Sequence, residues 1–232
     1  MLKNWLYRKP SMIPKIIHQT YKSHNLPKTF AECQKTICEL HPDFEYRFYT
    51  DEDMYAEIQM KFSEYYDEFI KLPRMIMKID MFRYFLMYRY GGLYADMDYM
   101  MFKPFDMLNE EIVIPCNRED NNVVTCLGNC VFASRPNHPF WKTVIDSLFT
   151  LDRKQLSKDS DVEAHIHGTG PMFLYHMWTE WVRLNPDTTE VNVPRRHLFH
   201  PPTDIQAIQK FRENKISYGM HLCTGEWRNH RL

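Results

Sequence analysis

Neither sign of charge dominates the 232-residue chain: 29 Lys and Arg stand against 30 Asp and Glu, for a formal net charge of −1. That balance argues against broad electrostatic binding of nucleic acid and leaves only a local basic patch as a route to it. The chain also lacks a Cys-x-x-Cys pair, an internal repeat, a low-complexity segment, a signal-peptide pattern and any apolar run long enough to span a bilayer. A chain of this length needs no disulfide framework, so the six cysteines, at 33, 38, 116, 126, 130 and 223, read as free thiols in a reducing compartment. The expectation is a soluble, cytoplasmic protein with one core. Residues 1–12 form an N-terminal extension and 13–232 a single domain. The opening MLKNWLYRK mixes apolar and basic residues; it reads either as a peripheral membrane contact or as a frayed terminus.

What the chain does have is an alternation of strand-like and helix-like stretches. IPKIIHQT (13–20) is a β-branched run that reads as a buried first strand. After Pro27, the residues Phe30, Cys33, Ile37 and Leu40 recur at helical spacing, and His41-Pro42 ends that helix. FEYRFY (44–49) alternates as a half-buried strand, with Phe44, Tyr46 and Phe48 inward, and Thr50 with Asp53 forms a capping box for the next helix. A short helix lies within 61–73. A longer amphipathic one over about 74–90 directs Ile76, Ile79, Phe82 and Leu86 to the core and carries Asp80 and Arg83 on one face. Strand, helix, strand, helix is the order of an α/β sheet.

Gly91-Gly92 stops the long helix, and LYADMD follows as a short strand. Side chains alternate along a strand, so Tyr94, Asp96 and Asp98 share a face while Leu93, Ala95 and Met97 enter the core. Two adjacent carboxylates repel unless a cation lies between them, which makes a divalent metal site the first functional expectation. Further on, EIVIPC (111–116) reads as a strand, NREDNN (117–122) as a polar loop, and VVTCLGNCVFAS (123–134) as one or two strands. Pro139 begins a helix, and 152–164 is a solvated helix or loop or a mobile flap. HGTGP (167–171) is a glycine-rich turn opening a helix at Pro171, and EVNVP (190–194) and KISYGMH (215–221) are late strands.

Several stretches in order resemble the Asp-x-Asp sugar transferases, the family of initiating α-1,6-mannosyltransferases and capsular sugar transferases related to the clostridial glucosylating toxins. They are IPKIIHQTY (13–21), HPDFEYRFYTDED (41–53), KIDMFRYFLMYRYGGLYADMD (78–98), HPF (138–140), TGP (169–171) and HLCTGEW (221–227). The resemblance implies an α/β protein of the A-type glycosyltransferase fold, with a Rossmann-like mixed central sheet flanked by helices. It implies Mn2+ or Mg2+, a nucleotide-sugar donor (a UDP-sugar ahead of GDP-mannose), a glycan, protein or other hydroxyl acceptor, and transfer of a hexose with retention. The chemistry suits a bound divalent ion, which offsets the charge developing on a diphosphate leaving group.

By the same resemblance, Asp98 is a direct metal ligand, Asp96 contacts the metal shell and donor ribose, and His221 completes the metal site. Asp80 would accept hydrogen bonds from sugar hydroxyls, and Arg83 would hold a hydroxyl or phosphate oxygen. Tyr21 would stack on the base where the family has Trp. Tyr94 would either close over the donor or pack in the core. Trp227 would donate its indole N–H toward the leaving diphosphate or close the donor pocket, with Glu226 standing where the family has Ser. Asn129, Thr169 and Gly170 are donor-side candidates, the last two at a helix start. His18 and Gln19 read as structural, Arg195-Arg196 as a surface turn, and His165 with His167 as lacking the further ligands zinc needs. Two other readings of the aspartates remain: a metal-dependent phosphoesterase, and an inactive nucleotide-sugar-binding protein.

Overall fold

The computed structural model describes residues 12–150, 168–201 and 205–225. The strands are β1 (Ile16–Thr20), β2 (Glu45–Tyr49), β3 (Gly92–Ala95), β4 (Tyr99–Met101), β5 (Ile112–Val113), β6 (Cys116–Asp120), β7 (Val123–Leu127), β8 (Val131–Ser134), β9 (Val191–Asn192) and β10 (Gly219–His221). The helices are α1 (Lys28–Leu40), α2 (Asp51–Lys61), α3 (Ser63–Ile70), α4 (Met75–Arg89), α5 (Pro139–Thr150), α6 (Pro171–Leu184), α7 (Arg196–Phe199) and α8 (Ile205–Glu213). Six strands form the central sheet in the order β2-β1-β3-β8-β5-β9. Only β8 runs against the others, pairing antiparallel with β3 and β5. The expected mixed α/β sheet is therefore present.

Two apolar clusters lie on the two faces of this sheet. One gathers Met54, Ile58, Phe82, Phe85, Leu86, Tyr94, Phe132 and Trp141, so helices α2, α4 and α5 cover that face. The other gathers Ile17, Ile37, Leu93, Ala95, Tyr99, Val131 and Phe199. The split follows from the pleat, since Leu93 and Ala95 leave one side of β3 and Tyr94 the other. Strand β2 shows less alternation than expected because, at the sheet edge, every residue from Tyr46 to Tyr49 is half-buried. The Thr50–Asp53 capping box forms as expected.

Three local readings are corrected. Helix α4 is not amphipathic: all residues from Met81 to Met87 are buried together with Asp80, because α3, α5 and the sheet surround it. The polar stretch NREDNN is not a loop. Cys116–Asp120 pairs with Val123–Leu127 as an antiparallel hairpin, turned by Asn121 and Asn122 at φ 48° and 65°. Asparagine tolerates that left-handed conformation better than other side chains, and two in succession are a hairpin-turn signal. Helices α7 and α8 had no counterpart in the sequence reading. The segment 152–164, with His165 and His167, lies outside the described residues, as do 1–11.

The α4–β3 junction depends on its two glycines. Gly91, at φ 62°, donates its N–H to the Met87 carbonyl at 3.1 Å and closes the helix. At Gly92, φ 93°, a Cβ would lie 2.5 Å from the Ile16 carbonyl oxygen, so only glycine lets β3 sit beside β1. His18 locks the junction from β1: its Nε2 donates to the Gly91 carbonyl at 2.9 Å and its Nδ1 accepts from the Tyr49 hydroxyl at 3.2 Å. That pairing uses the neutral imidazole, and burial lowers its pKa to about 3.

His18 thus makes the fold acid-sensitive. The unfolded chain takes up a proton near pH 6.5 and the folded one near 3, so stability is complete above 6.5 and falls as the pH drops through that window. The slope is about 1.4 kcal/mol per pH unit for this one group. Denaturant unfolding of His18→Gln between pH 6 and 5 should show a pH dependence shallower than wild type by about that amount. An unchanged slope would remove His18 as the cause.

Candidate active site at the carboxyl edge of the sheet

Strands β1, β2 and β3 are parallel and end on one edge of the sheet, at Thr20, Tyr49 and Ala95. Open α/β sheets bind ligands at that edge. Here it holds two linked polar clusters, joined by Asp96.

The first cluster is buried. Asp80 is 0% exposed and Arg83 3%, both on α4. Arg83 Nη2 lies 3.5 Å from Asp80 Oδ1 and 3.3 Å from Asp96 Oδ1, and Nη1 donates to the Asn129 carbonyl. Asp80 also accepts from Asn129 Nδ2 at 3.0 Å and from Thr169 Oγ1 at 2.8 Å. Burial works against the guanidinium charge, but Asp96, Tyr94 and Asp80 outweigh it and raise the Arg83 pKa above its ordinary value. For Asp96 burial wins: its carboxyl is pushed above the usual range, with Arg83 and His221 opposing.

Tyr94 belongs beneath this cluster. It is fully buried, stacked on Phe132 with 5.4 Å between centroids, and its hydroxyl donates to Asp96 Oδ1 at 2.8 Å. Of the two readings left open by the sequence, core packing is the one the structure displays. The reason is the neighbouring strand, which brings Phe132 directly opposite Tyr94.

The second cluster is partly open. Strand β3 stops at Ala95, and Asp96-Met97-Asp98 is a turn before β4 rather than a continuation of the strand. The Asp96 N–H donates to the Cys130 carbonyl at 2.7 Å, and the Tyr99 N–H donates to the Asp96 carbonyl at 3.0 Å. The carboxylates therefore approach through a turn and not through pleat alternation. Strand β10 pairs with β4, setting His221 opposite Tyr99. Asp96, Asp98 and His221 each present a ligand atom, all within 4.8 Å of one another.

Residues 221–224 wrap around Asp98. His221 Nε2 is 2.9 Å from Oδ1, Thr224 donates to Oδ2 through both N (3.0 Å) and Oγ1 (2.9 Å), and Leu222 N donates to the Asp98 carbonyl at 2.9 Å. Burial raises the Asp98 pKa, but the His221 and Thr224 hydrogen bonds outweigh it and hold the carboxyl below its ordinary value. Burial likewise disfavours charge on His221, yet Cys130 and the bond to Asp98 hold that imidazole above the histidine norm. Two carboxylates and one imidazole are a donor set for a hard divalent cation such as Mn2+ or Mg2+. The proton between His221 and Asp98 stands where positive charge is required, so the residues fit that role.

A second group of potential ligands, Glu111, His138 and Glu190, also lies within 4.8 Å. His138 Nδ1 accepts the Phe140 backbone N–H at 3.1 Å, capping α5. A neutral ring held this way carries its hydrogen on Nε2, the atom that faces both glutamates at 3.4 and 3.3 Å. That nitrogen has no lone pair for a metal, and Arg135 already pairs with Glu111 at 2.8 Å. The group is a structural tie between β5, α5 and β9.

The other expected site residues are distributed as follows. Gly170 is the N-cap of α6 with Pro171 at its first turn, and the Thr169 carbonyl accepts from the Tyr84 hydroxyl at 2.7 Å. Asn129 sits in the bend between β7 and β8 rather than on a strand. Tyr21 follows β1 directly, with its ring edge-on to Phe30 at 5.3 Å. Gln19 Nε2 donates to the carbonyls of Ala95 and Asp96 at 3.4 and 3.3 Å, a structural role like that of His18. Trp227 and Glu226 lie outside the described residues. The residue the sequence reading missed is Thr224, which has no signal beyond its place three residues after His221.

An open, mostly parallel sheet flanked by helices, with paired aspartates at its carboxyl edge, is the A-type glycosyltransferase fold. A solved structure, PaToxG glycosyltransferase, aligns with a TM-score of 0.56 over 74% of this chain and 70% of that one, at 18% identity. Residues 27–114 match the glycosyltransferase sugar-binding region containing the DXD motif, so the chain carries that family's sugar-binding region. It is 33% identical over 175 residues to mannosyl phosphorylinositol ceramide synthase SUR1 of Saccharomyces cerevisiae, covering 75% of this chain and 44% of the relative. It is 31% identical over 221 residues to inositol phosphoceramide mannosyltransferase 2 of Schizosaccharomyces pombe, covering 94% and 59%. The chain thus spans about half the length of the curated relatives it matches. No helix among the described residues is long and apolar enough to cross a membrane.

Arg83→Met tests the buried cluster, because it leaves Asp80 and Asp96 without their cation. Chemical denaturation at pH 7 should show a loss of about 3–5 kcal/mol. Without Arg83 the Asp96 carboxyl, already raised by burial, rises further, and a raised folded pKa favours folding only at low pH. The penalty should therefore shrink as the pH falls toward the carboxylate range. A pH-independent loss would point to packing alone.

Proposed function

We propose that the chain is the catalytic region of a metal-dependent mannosyltransferase. It would move mannose from a nucleotide-linked donor to a hydroxyl of a glycan or inositol phospholipid acceptor, with retention. The observation that carries this reading is the convergence of Asp96, Asp98 and His221 at the sheet edge, backed by Asp80 and Arg83. The relatives' names turn the choice of sugar toward mannose. GDP-mannose accordingly replaces the UDP-sugar favoured from the sequence.

Asp98, Asp96 and His221 would hold the divalent ion, which when bound neutralises the donor diphosphate. Asp98 presents Oδ1 because Thr224 occupies Oδ2. Asp80, held in place by Asn129 and Thr169, would accept hydrogen bonds from the donor's sugar hydroxyls. Arg83 supplies the fixed positive charge behind the anionic donor and holds the Asn129 loop in place. Tyr21 would stack on the nucleotide base, and Trp227 would donate toward the diphosphate or close the donor pocket. Transfer breaks the bond from the anomeric carbon to the phosphate oxygen and forms one to the acceptor oxygen; the acceptor proton leaves with the nucleoside diphosphate.

The test is a melting-temperature screen with GDP-mannose and UDP-glucose, each with and without Mn2+. GDP-mannose with Mn2+ should raise the melting temperature, through a mass-action stabilisation of about 2.7 kcal/mol at a hundredfold excess over Kd. Asp98→Asn should abolish that increment and reduce mannosyl transfer by at least about a hundredfold, as expected when a charge-stabilising group is lost. A metal-dependent shift with UDP-glucose alone would overturn the donor assignment, and full transfer by Asp98→Asn would overturn the site.

A further inference from the structure

Residues 221–225 carry one candidate ligand, His221, and the geometry of the turn around it is specific. Two donors from Thr224 converge on Oδ2 of Asp98, N at 3.0 Å and Oγ1 at 2.9 Å, while Oδ1 faces His221 Nε2. The same turn brings Cys223 Sγ to 3.3 Å from His221 Nδ1, the nitrogen on the far side of the ring from Asp98. Cys223 sits at φ 53°, a left-handed conformation that costs a non-glycine residue energy, and Gly225 follows at φ 66°. With Leu222 N tied to the Asp98 carbonyl at 2.9 Å, the left-handed step at Cys223 brings both Thr224 donors onto one oxygen.

We propose that Thr224 and Cys223 are positioning residues of the cation site, Thr224 selecting the Asp98 oxygen and Cys223 the His221 nitrogen that face the ion. The proposal rests on the reading of Asp98 and His221 as ligands. Each residue acts through a ligand it touches on the side away from the ion. A carboxylate whose Oδ2 already accepts two hydrogen bonds offers Oδ1. An imidazole that ligates through Nε2 carries its hydrogen on Nδ1, and the Cys223 sulfur is the acceptor within reach of it. Such outer partners fix ligand orientation and are worth about 10–100-fold in metal affinity. The expected hierarchy follows from hydrogen-bond strength: the oxygen contact of Thr224 outweighs the weaker sulfur contact of Cys223.

Calorimetric titration of the metal-free protein with MnCl2, without donor, reads this directly. Thr224→Val, which keeps the backbone donor and the side-chain shape, should weaken Mn2+ binding about tenfold. Thr224→Ser should restore it to within about twofold, and Cys223→Ala should weaken it by less than Thr224→Val does. The metal-free melting temperatures of the variants should remain near wild type, since a purely structural role would lower those and leave Mn2+ affinity alone. Wild-type affinity in Thr224→Val, alongside a large loss in Asp98→Asn, would overturn the positioning role while preserving the ligand assignment. Wild-type affinity in Asp98→Asn as well would overturn both.

Discussion

The interaction on which the site depends is the buried Arg83 guanidinium held between Asp80 and Asp96. A carboxylate placed in a closed interior without a counter-charge carries a desolvation penalty of several kcal/mol. One cation answers for two acids here, and it comes from the same helix as one of them. The guanidinium suits this because its planar fork serves several partners at once, reaching Asp80, Asp96 and the Asn129 carbonyl. It therefore joins α4, the turn after β3 and the bend before β8 into one rigid unit. The more exposed cluster of Asp98 and His221 is built on that unit through Asp96.

The second constraint is backbone geometry. Gly91 and Gly92 let α4 end and β3 start within van der Waals range of β1, so the helix bearing Arg83 and the turn bearing Asp96 cannot drift apart. Strand β10 then delivers the chain from the far end of the sequence, setting His221 beside Asp98, 123 positions away. The matched DXD region and the fold are those of glycosyltransferases. The particular arrangement of ligands and their supports is a property of these junctions.

Parts of this were legible in the residues themselves. The Thr50–Asp53 cap, the glycine stop and the start of α5 at Pro139 depend on neighbours a few positions away, and local rules suffice for them. A β-branched run placed β1, helical spacing placed α1, and the glycine stop with period-two alternation placed β3. The asparagine pair at 121–122 is a hairpin signal masked by the polar and charged residues before it, Asn117 to Asp120. The shape of α4 was not legible, since charge at Asp80 and Arg83 suggests a solvated face, whereas surrounding elements enclose its middle from Asp80 to Met87.

By itself the sequence determined the element order, the aspartate pair and the likeness to sugar transferases, because these reside in residue types and short spacings. Only the tertiary structure decided that Asp96 and Asp98 meet across a turn, that Tyr94 lies under the site, and that Thr224 and Cys223 back the two candidate ligands. The reason is physical: hydrogen bonds spanning 126 positions, such as Thr224 to Asp98, leave no periodicity behind. They exist only once the sheet has brought β4 and β10 side by side.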